Sequence, residues 1–264
     1  VQFYYMPVLG GTIIALLLVG IQTMVWGLMK QYGVKHDFPG HLLSFVPSIV
    51  LWCAMGDQNV LLSFVVALWG ALTMGWIHNC FHNRLVKVVF ELVSTALVYW
   101  CLGPVVYVYA ALMIGDTMKL GAQKRQVSSA VAYSLCILIL TFSWILLCTQ
   151  TLQYPLCRIL SGLNYYRFPG VVPVMLLGVM ACAAFVPLLG MVSYKNPQLQ
   201  KLQQSRMVVT VTYVLVAIAS WWGIKVSFDE MSYELIDYNF LVRTEQWDKI
   251  IEKAEKKPAS TPLG

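Results

Sequence analysis

The sequence is short of charge. Only 11% of its 264 residues are Asp, Glu, Lys or Arg, against roughly 25% in an ordinary soluble domain. With 59% apolar residues and a mean hydropathy of +0.69, that shortage excludes a soluble globular enzyme, a disordered chain and a nucleic-acid-binding module. Catalytic signatures are missing as well: there is no GxSxG, Walker A, GxGxxG or paired-carboxylate motif. The seven cysteines (Cys53, Cys80, Cys101, Cys136, Cys148, Cys157 and Cys182) are odd in number and show no CxxC spacing, so neither a disulfide framework nor a zinc site is indicated. Most lie in apolar runs, where a thiol behaves as a small hydrophobe. No metal and no cofactor are expected. No basic n-region of a signal peptide stands at Val1, and the chain reads as a fragment of a longer protein.

What is present is a series of apolar runs of helical length. Met6–Met29 is ample for a 30 Å hydrocarbon core. Leu42–Met55 is short and holds Pro47, and Gly56-Asp57-Gln58-Asn59 turns it back into Val60–Ile77 as a helical hairpin. Leu85–Gly115 is either one helix about 45 Å long or two short ones broken at Gly103-Pro104. Val127–Thr149, Val171–Tyr194 and Val208–Ile224 follow. Charge decides the ambiguity. If the run is split, Lys30, Lys35, Arg84, Lys87, Lys119, Lys124, Arg125, Lys195, Lys201 and Arg206 share one side, and only Arg158 and Arg167 lie on the other. A single span divides the same residues six to six, so the positive-inside rule favours the split.

The expected fold is therefore all-α: a polytopic domain over residues 1–224 with about eight membrane-inserted segments, some short. An even count puts Val1 and the tail on the extracytoplasmic side, which requires at least one span upstream. Trp26, Trp76, Tyr99, Trp100, Tyr194, Trp221 and Trp222 fall near span ends, as an interfacial aromatic belt does.

Residues 225–264 differ in character, with 6 basic and 8 acidic side chains. Tyr233, Ile236 and Phe240 recur at helical spacing. Thr244 offers an N-cap to a second helix, in which Trp247, Ile250, Ile251 and Ala254 form one apolar stripe. Two amphipathic helices ending at Pro258 have the outline of one tetratricopeptide-type repeat, which cannot bury its own face, so further repeats are expected beyond Gly264.

The opening Val1-Gln2-Phe3-Tyr4-Tyr5 and the stretch from Tyr233 to Lys249 resemble those of a functionally uncharacterised family of Gram-negative inner-membrane proteins, with a multi-span N-terminal part and a C-terminal helical-repeat (TPR-like) part. The resemblance implies a multi-pass protein of the bacterial inner membrane with a periplasmic tail. It implies no catalytic residues.

Glu91 is the most informative single residue, because an ionisable group in an apolar run marks function by default. The competing account pairs it with Lys87, four residues earlier, near the interface. His78 and His82 share one helical face, but no Glu follows His78 as the metalloprotease motif requires. His36, Asp37 and His41 cluster at the start of a span and read as headgroup contacts. Asp57 and Asp116 read as isolated turn or span-end residues. The outer loop Gln150–Gly170 carries Arg158, Tyr165, Tyr166 and Arg167, which could clamp a phosphate while aromatic faces meet a sugar or lipid chain; the alternative is an anchored interfacial segment.

Three functions are compatible with these features. The first is a membrane protein that presents a periplasmic helical-repeat region for partner binding or envelope assembly. The second is an enzyme similar in layout to GT-C glycosyltransferases that use lipid-linked sugars, whose essential acid would precede Val1. The third is a transporter, to which the break at Gly103-Pro104 points. The expected partners are the lipid bilayer and, on the periplasmic side, a protein or a lipid-linked glycan; no nucleic acid is expected.

Overall fold

The computed structural model describes residues 6–34, 38–57, 59–151, 153–162, 172–191, 206–227 and 230–256. Every regular element among them is helical. In chain order they are α1 (Pro7–Tyr32), α2 (Phe38–Leu43), α3 (Val46–Ala54), α4 (Leu62–Cys80), α5 (Arg84–Leu102), α6 (Val106–Gln123), α7 (Val127–Thr151), α8 (Leu156–Ser161), α9 (Val174–Leu188), α10 (Arg206–Ser227), α11 (Glu230–Arg243) and α12 (Trp247–Lys256). Short 3-10 turns, Gly103–Val105 and Leu189–Met191, follow α5 and α9.

Six stretches are long and apolar enough to cross a membrane, and Gly40–Ala54 is a shorter apolar one. The longest, Arg84–Gln123, is 40 residues and is not one rod. Gly103 takes φ 75° and ψ −145°, a conformation open to glycine because it has no Cβ. Pro104 follows and removes a backbone donor. The chain therefore reverses. The Lys87 ammonium meets the Asp116 carboxylate, and the Ser94 and Tyr109 hydroxyls lie 2.7 Å apart. In a straight helix, Lys87 and Asp116 would be about 43 Å apart. The two pairs share one midpoint in the sequence, between Cys101 and Leu102, so α5 and α6 are antiparallel. Among the described residues this makes eight apolar segments, with the split at the position that the loop charges favour.

Parallel and antiparallel packing sort the ends. Trp69 and Trp76 of α4 sit over Gly20 and Gly27 of α1, and both pairs are seven residues apart, so the two helices run in parallel with a coiled-coil-like register. Ser48 Oγ donates to the Leu18 carbonyl and Gln22 Nε2 to Ser44 Oγ, which sets α3 antiparallel to α1. Asn59 donates from both its backbone and its side chain to Asp57 Oδ1, closing the turn between α3 and α4. The core between these helices includes Ile21, Leu28, Leu51, Phe64, Leu68, Leu72, Tyr109, Leu112 and Leu176, all fully buried.

As a result α1, α4, α6 and α9 end at one end of the bundle, where α5, α7 and α10 begin. Lys30, Arg84, Lys87, Lys119, Lys124 and Arg125 all lie there. At the opposite end, α8 is held against the α5–α6 turn: the Tyr99 and Tyr107 hydroxyls donate to the Ile159 and Leu160 carbonyls, at 3.5 and 3.1 Å. Tyr99 is therefore a core residue (3% exposed) and not part of an aromatic belt, whereas Trp100, Trp221 and Trp222 are more than half exposed. Tyr194 lies outside the described residues.

Apolar side chains cover the outside. Leu16 and Val19 of α1, Ile139 and Leu146 of α7, and Leu215 and Ile218 of α10 are each more than half exposed. A surface of this kind is stable against lipid and unstable in water.

A close helix contact lies at the α6–α7 corner, where a Cβ on Gly121 would stand 2.3 Å from the Ala130 Cβ. That neighbour is a rigid stub of the next helix and has no rotamer with which to yield. Gly121→Val should therefore lower stability by about 1–3 kcal/mol, read as the midpoint of unfolding in detergent micelles. A midpoint equal to wild type would show that the corner is looser than this contact.

Candidate functional site

Asn83 caps α5, its side chain accepting from the Leu85 N–H. From that start the helix presents one polar line inward, with Lys87, Glu91, Ser94 and Thr95 on it. Glu91 is 3% exposed and lies between three helices. Its Oε1 is 2.7 Å from Nε2 of His78, at the end of α4 and fully buried. Its Oε2 accepts from the Tyr133 hydroxyl of α7 at 2.5 Å. His78 Nδ1 is 3.2 Å from Oδ1 of Asn79, and the imidazole stands edge-on to the Tyr109 ring with centroids 6.3 Å apart. Phe90 and Phe81, with ring centroids 4.8 Å apart, lie beside it.

Both carboxylate oxygens are thus hydrogen-bonded, which is the condition under which a carboxyl group is tolerated among apolar helices. The network joins an imidazole, a carboxyl and a phenol in one hydrogen-bonded chain across α4, α5 and α7.

Lys87 pairs with Asp116 of α6, not with Glu91. The reason is register: the antiparallel α6 brings Asp116 opposite Lys87, while Glu91 already has two partners. Asp116 is accordingly a pairing residue and not an isolated span end. His78 and His82 are not brought together. Helix α4 ends at Cys80, and His82 is exposed, with Nδ1 2.9 Å from the Cys80 carbonyl oxygen. His41 has protein partners: its Nδ1 is 2.6 Å from the Tyr213 hydroxyl of α10, and its ring packs edge-on against Trp26.

The polar line leads to a cleft of about 790 Å³ at the basic end of the bundle, with walls supplied by the ends of α1, α4 and α6 and the starts of α5 and α7. Tyr133 lines it and so connects it to buried Glu91. Lys119 also lines it, with its ammonium donating to the Gln31 carbonyl and lying 6.0 Å from the Tyr32 ring centroid.

Arg158, the described member of the outer-loop set, is exposed on α8. Tyr165, Tyr166 and Arg167 lie outside the described residues, as do His36 and Asp37. Arg158 and Glu91 are not one site, because α8 stands at the end opposite the cleft. Tyr133 and the Ser94–Tyr109 pair escaped the sequence reading. Symmetry about the turn does not find the second: residues equidistant from Gly103-Pro104 would pair Lys87 with Leu120 and Ser94 with Met113, whereas both observed pairs centre between Cys101 and Leu102.

Fold and network together define a helical multi-pass membrane protein with an ionisable cluster among its helices. The chain belongs to a family of unknown function, DUF6057, whose model matches residues 1–264. No curated protein and no solved structure matches it.

Replacing Glu91 tests how much the network holds. Glu91→Ala leaves His78 and Tyr133 without their acceptor and should cost roughly 2–4 kcal/mol, read from unfolding in detergent. Glu91→Gln keeps one acceptor and should lose less than half of that. Equal losses in the two variants would mean that packing, and not hydrogen bonding, fixes this position.

Proposed function

We propose that this chain is an integral protein of a Gram-negative inner membrane whose basic end faces the cytoplasm, and whose α11–α12 pair stands in the periplasm for partner binding or envelope assembly. The observation that carries this reading is the direction of α10. Tyr213 reaches His41, Gly223 lies against Cys53, and Gly56 lies against the Ser227 carbonyl, so α10 runs parallel to α3, away from the basic end. The helix pair that follows therefore emerges on the side poor in Lys and Arg. On the positive-inside rule that side is extracytoplasmic.

The pair itself has the form of a recognition unit. The Lys253 ammonium meets Asp237 across it and lies 4.7 Å from the Tyr238 ring centroid, which holds the two helices together. Trp247 and Ile251 remain more than half exposed along the stripe of α12. An unpaired stripe of this kind suits stacking against a further helical repeat or a protein partner. On this reading residues 1–224 are the membrane domain, and residues 225–264 open a TPR-like region.

A second reading, a transporter, draws on Glu91 and His78. A hydrogen-bonded ionisable pair among apolar helices, one residue removed from a polar cleft, is the arrangement used by proton relays. The glycosyltransferase reading gains nothing from these residues.

Reporter fusions at Gly264 test the first reading. Alkaline phosphatase fused there should be active in cells, and a fluorophore that matures only in the cytoplasm should stay dark. The reverse pattern would put the tail in the cytoplasm and remove the periplasmic function.

A further inference from the structure

The positive-inside rule accounts for basic residues at one end of the bundle, but not for their convergence. Of the six basic side chains described at that end, Arg84, Lys87, Lys119 and Lys124 line the same cleft, and Asp116 is the only carboxylate lining it among the described residues. Lys87 is engaged with Asp116, and Lys119 with the Gln31 carbonyl. Arg84 and Lys124 have no acidic partner among the described residues, and both are exposed at the start of α5 and the end of α6.

A second observation concerns hydrogen bonding. Asn79 Nδ2, on a residue of the same lining, is a buried donor without a hydrogen-bond partner among the described residues. Unsatisfied groups of this sort are uncommon, and each calls for an occupant.

We propose that this cleft binds a phosphate-bearing ligand, its anionic oxygens taken by Arg84 and Lys124 and supported by Lys87, Lys119 and the Asn79 amide. Phosphate oxygens accept hydrogen bonds, and cationic donors outnumber carboxylates here four to one. The guanidinium of Arg84 provides a planar fork, and the lysines provide point charges. The first turn of α7, which contributes Ser129 to the wall, adds N–H groups at the positive end of a 25-residue helix. A volume of about 790 Å³ is within the range of small-molecule sites and far exceeds a bare phosphate, so the ligand carries an organic body. Phe81, Leu120 and Ala130 supply apolar wall for it. A lipid headgroup and a soluble nucleotide share this chemistry. Tyr133 would place such a ligand within one hydroxyl of Glu91.

The test uses the full chain in neutral detergent, with ATP as the soluble probe and phosphatidylglycerol, against phosphatidylcholine, as the lipid probe. Binding to the folded state raises the unfolding midpoint with a saturable dependence on ligand. A rise with ATP assigns a soluble phosphate compound, and a rise with phosphatidylglycerol alone assigns a lipid headgroup; either supports the site. The double variant Arg84→Gln/Lys124→Gln should need at least about tenfold more ligand for half-saturation. Because both side chains are exposed, this variant keeps its fold. A control with Lys225→Gln and Lys249→Gln, remote from the cleft, should bind as wild type does. The proposal is overturned if neither probe shifts the midpoint, or if the cleft variant binds as tightly as the control.

Discussion

A charged side chain among lipid-facing helices must find its partner within the protein, and in this chain that constraint falls on α5. Lys87 and Glu91 are one helical turn apart, yet they do not neutralise each other. Lys87 turns to Asp116 on α6, while Glu91 is shared between His78 on α4 and Tyr133 on α7. One helix thereby binds three neighbours by directional contacts that lipid cannot replace. Between apolar helices in a bilayer the hydrophobic effect discriminates little, so such contacts, together with close packing, determine which helix lies beside which. The packing of α1 on α4 through Gly20–Trp69 and Gly27–Trp76 is the apolar counterpart of the same specification.

The two ends of the bundle are built differently, and the difference follows from what each must satisfy. At the basic end five helix termini converge around a polar cleft, and cations meet the carbonyl ends of helices, as Lys119 does at α1. At the other end the α5–α6 turn is sealed by α8, whose own carbonyls receive the Tyr99 and Tyr107 hydroxyls. One end is open and charged, the other closed by neutral hydrogen bonds. Tyr133 links the ionisable network to the cleft at the basic end, the end that carries the candidate ligand site.

Much of this architecture is legible in the residues. Apolar runs of helical length mark the spans because length and hydropathy are properties of the local chain. The turn at Gly103-Pro104 follows from loop charge, since ten basic residues fall on one side only if the run is split there. Glu91 stands out because a carboxylate in an apolar run is rare. Spacing along one helix does not identify partners. The i,i+4 spacing made Lys87 the natural neighbour of Glu91, and sequence proximity grouped His78 with His82, although α4 stops between them. Tyr99 lies near a span end, as a belt residue would, but its hydroxyl has a carbonyl acceptor in the core.

Taken alone, the sequence determines that the chain is helical, where it turns, and which end of each helix collects positive charge. Those properties depend on local composition and on the cost of moving charge through a bilayer. Which helices touch is decided only by the tertiary structure, because the neighbours of a buried polar group come from segments 13 to 42 residues away, as His78 and Tyr133 do for Glu91. The cleft is of the same kind: five elements contribute to it, and no single stretch of the chain contains it.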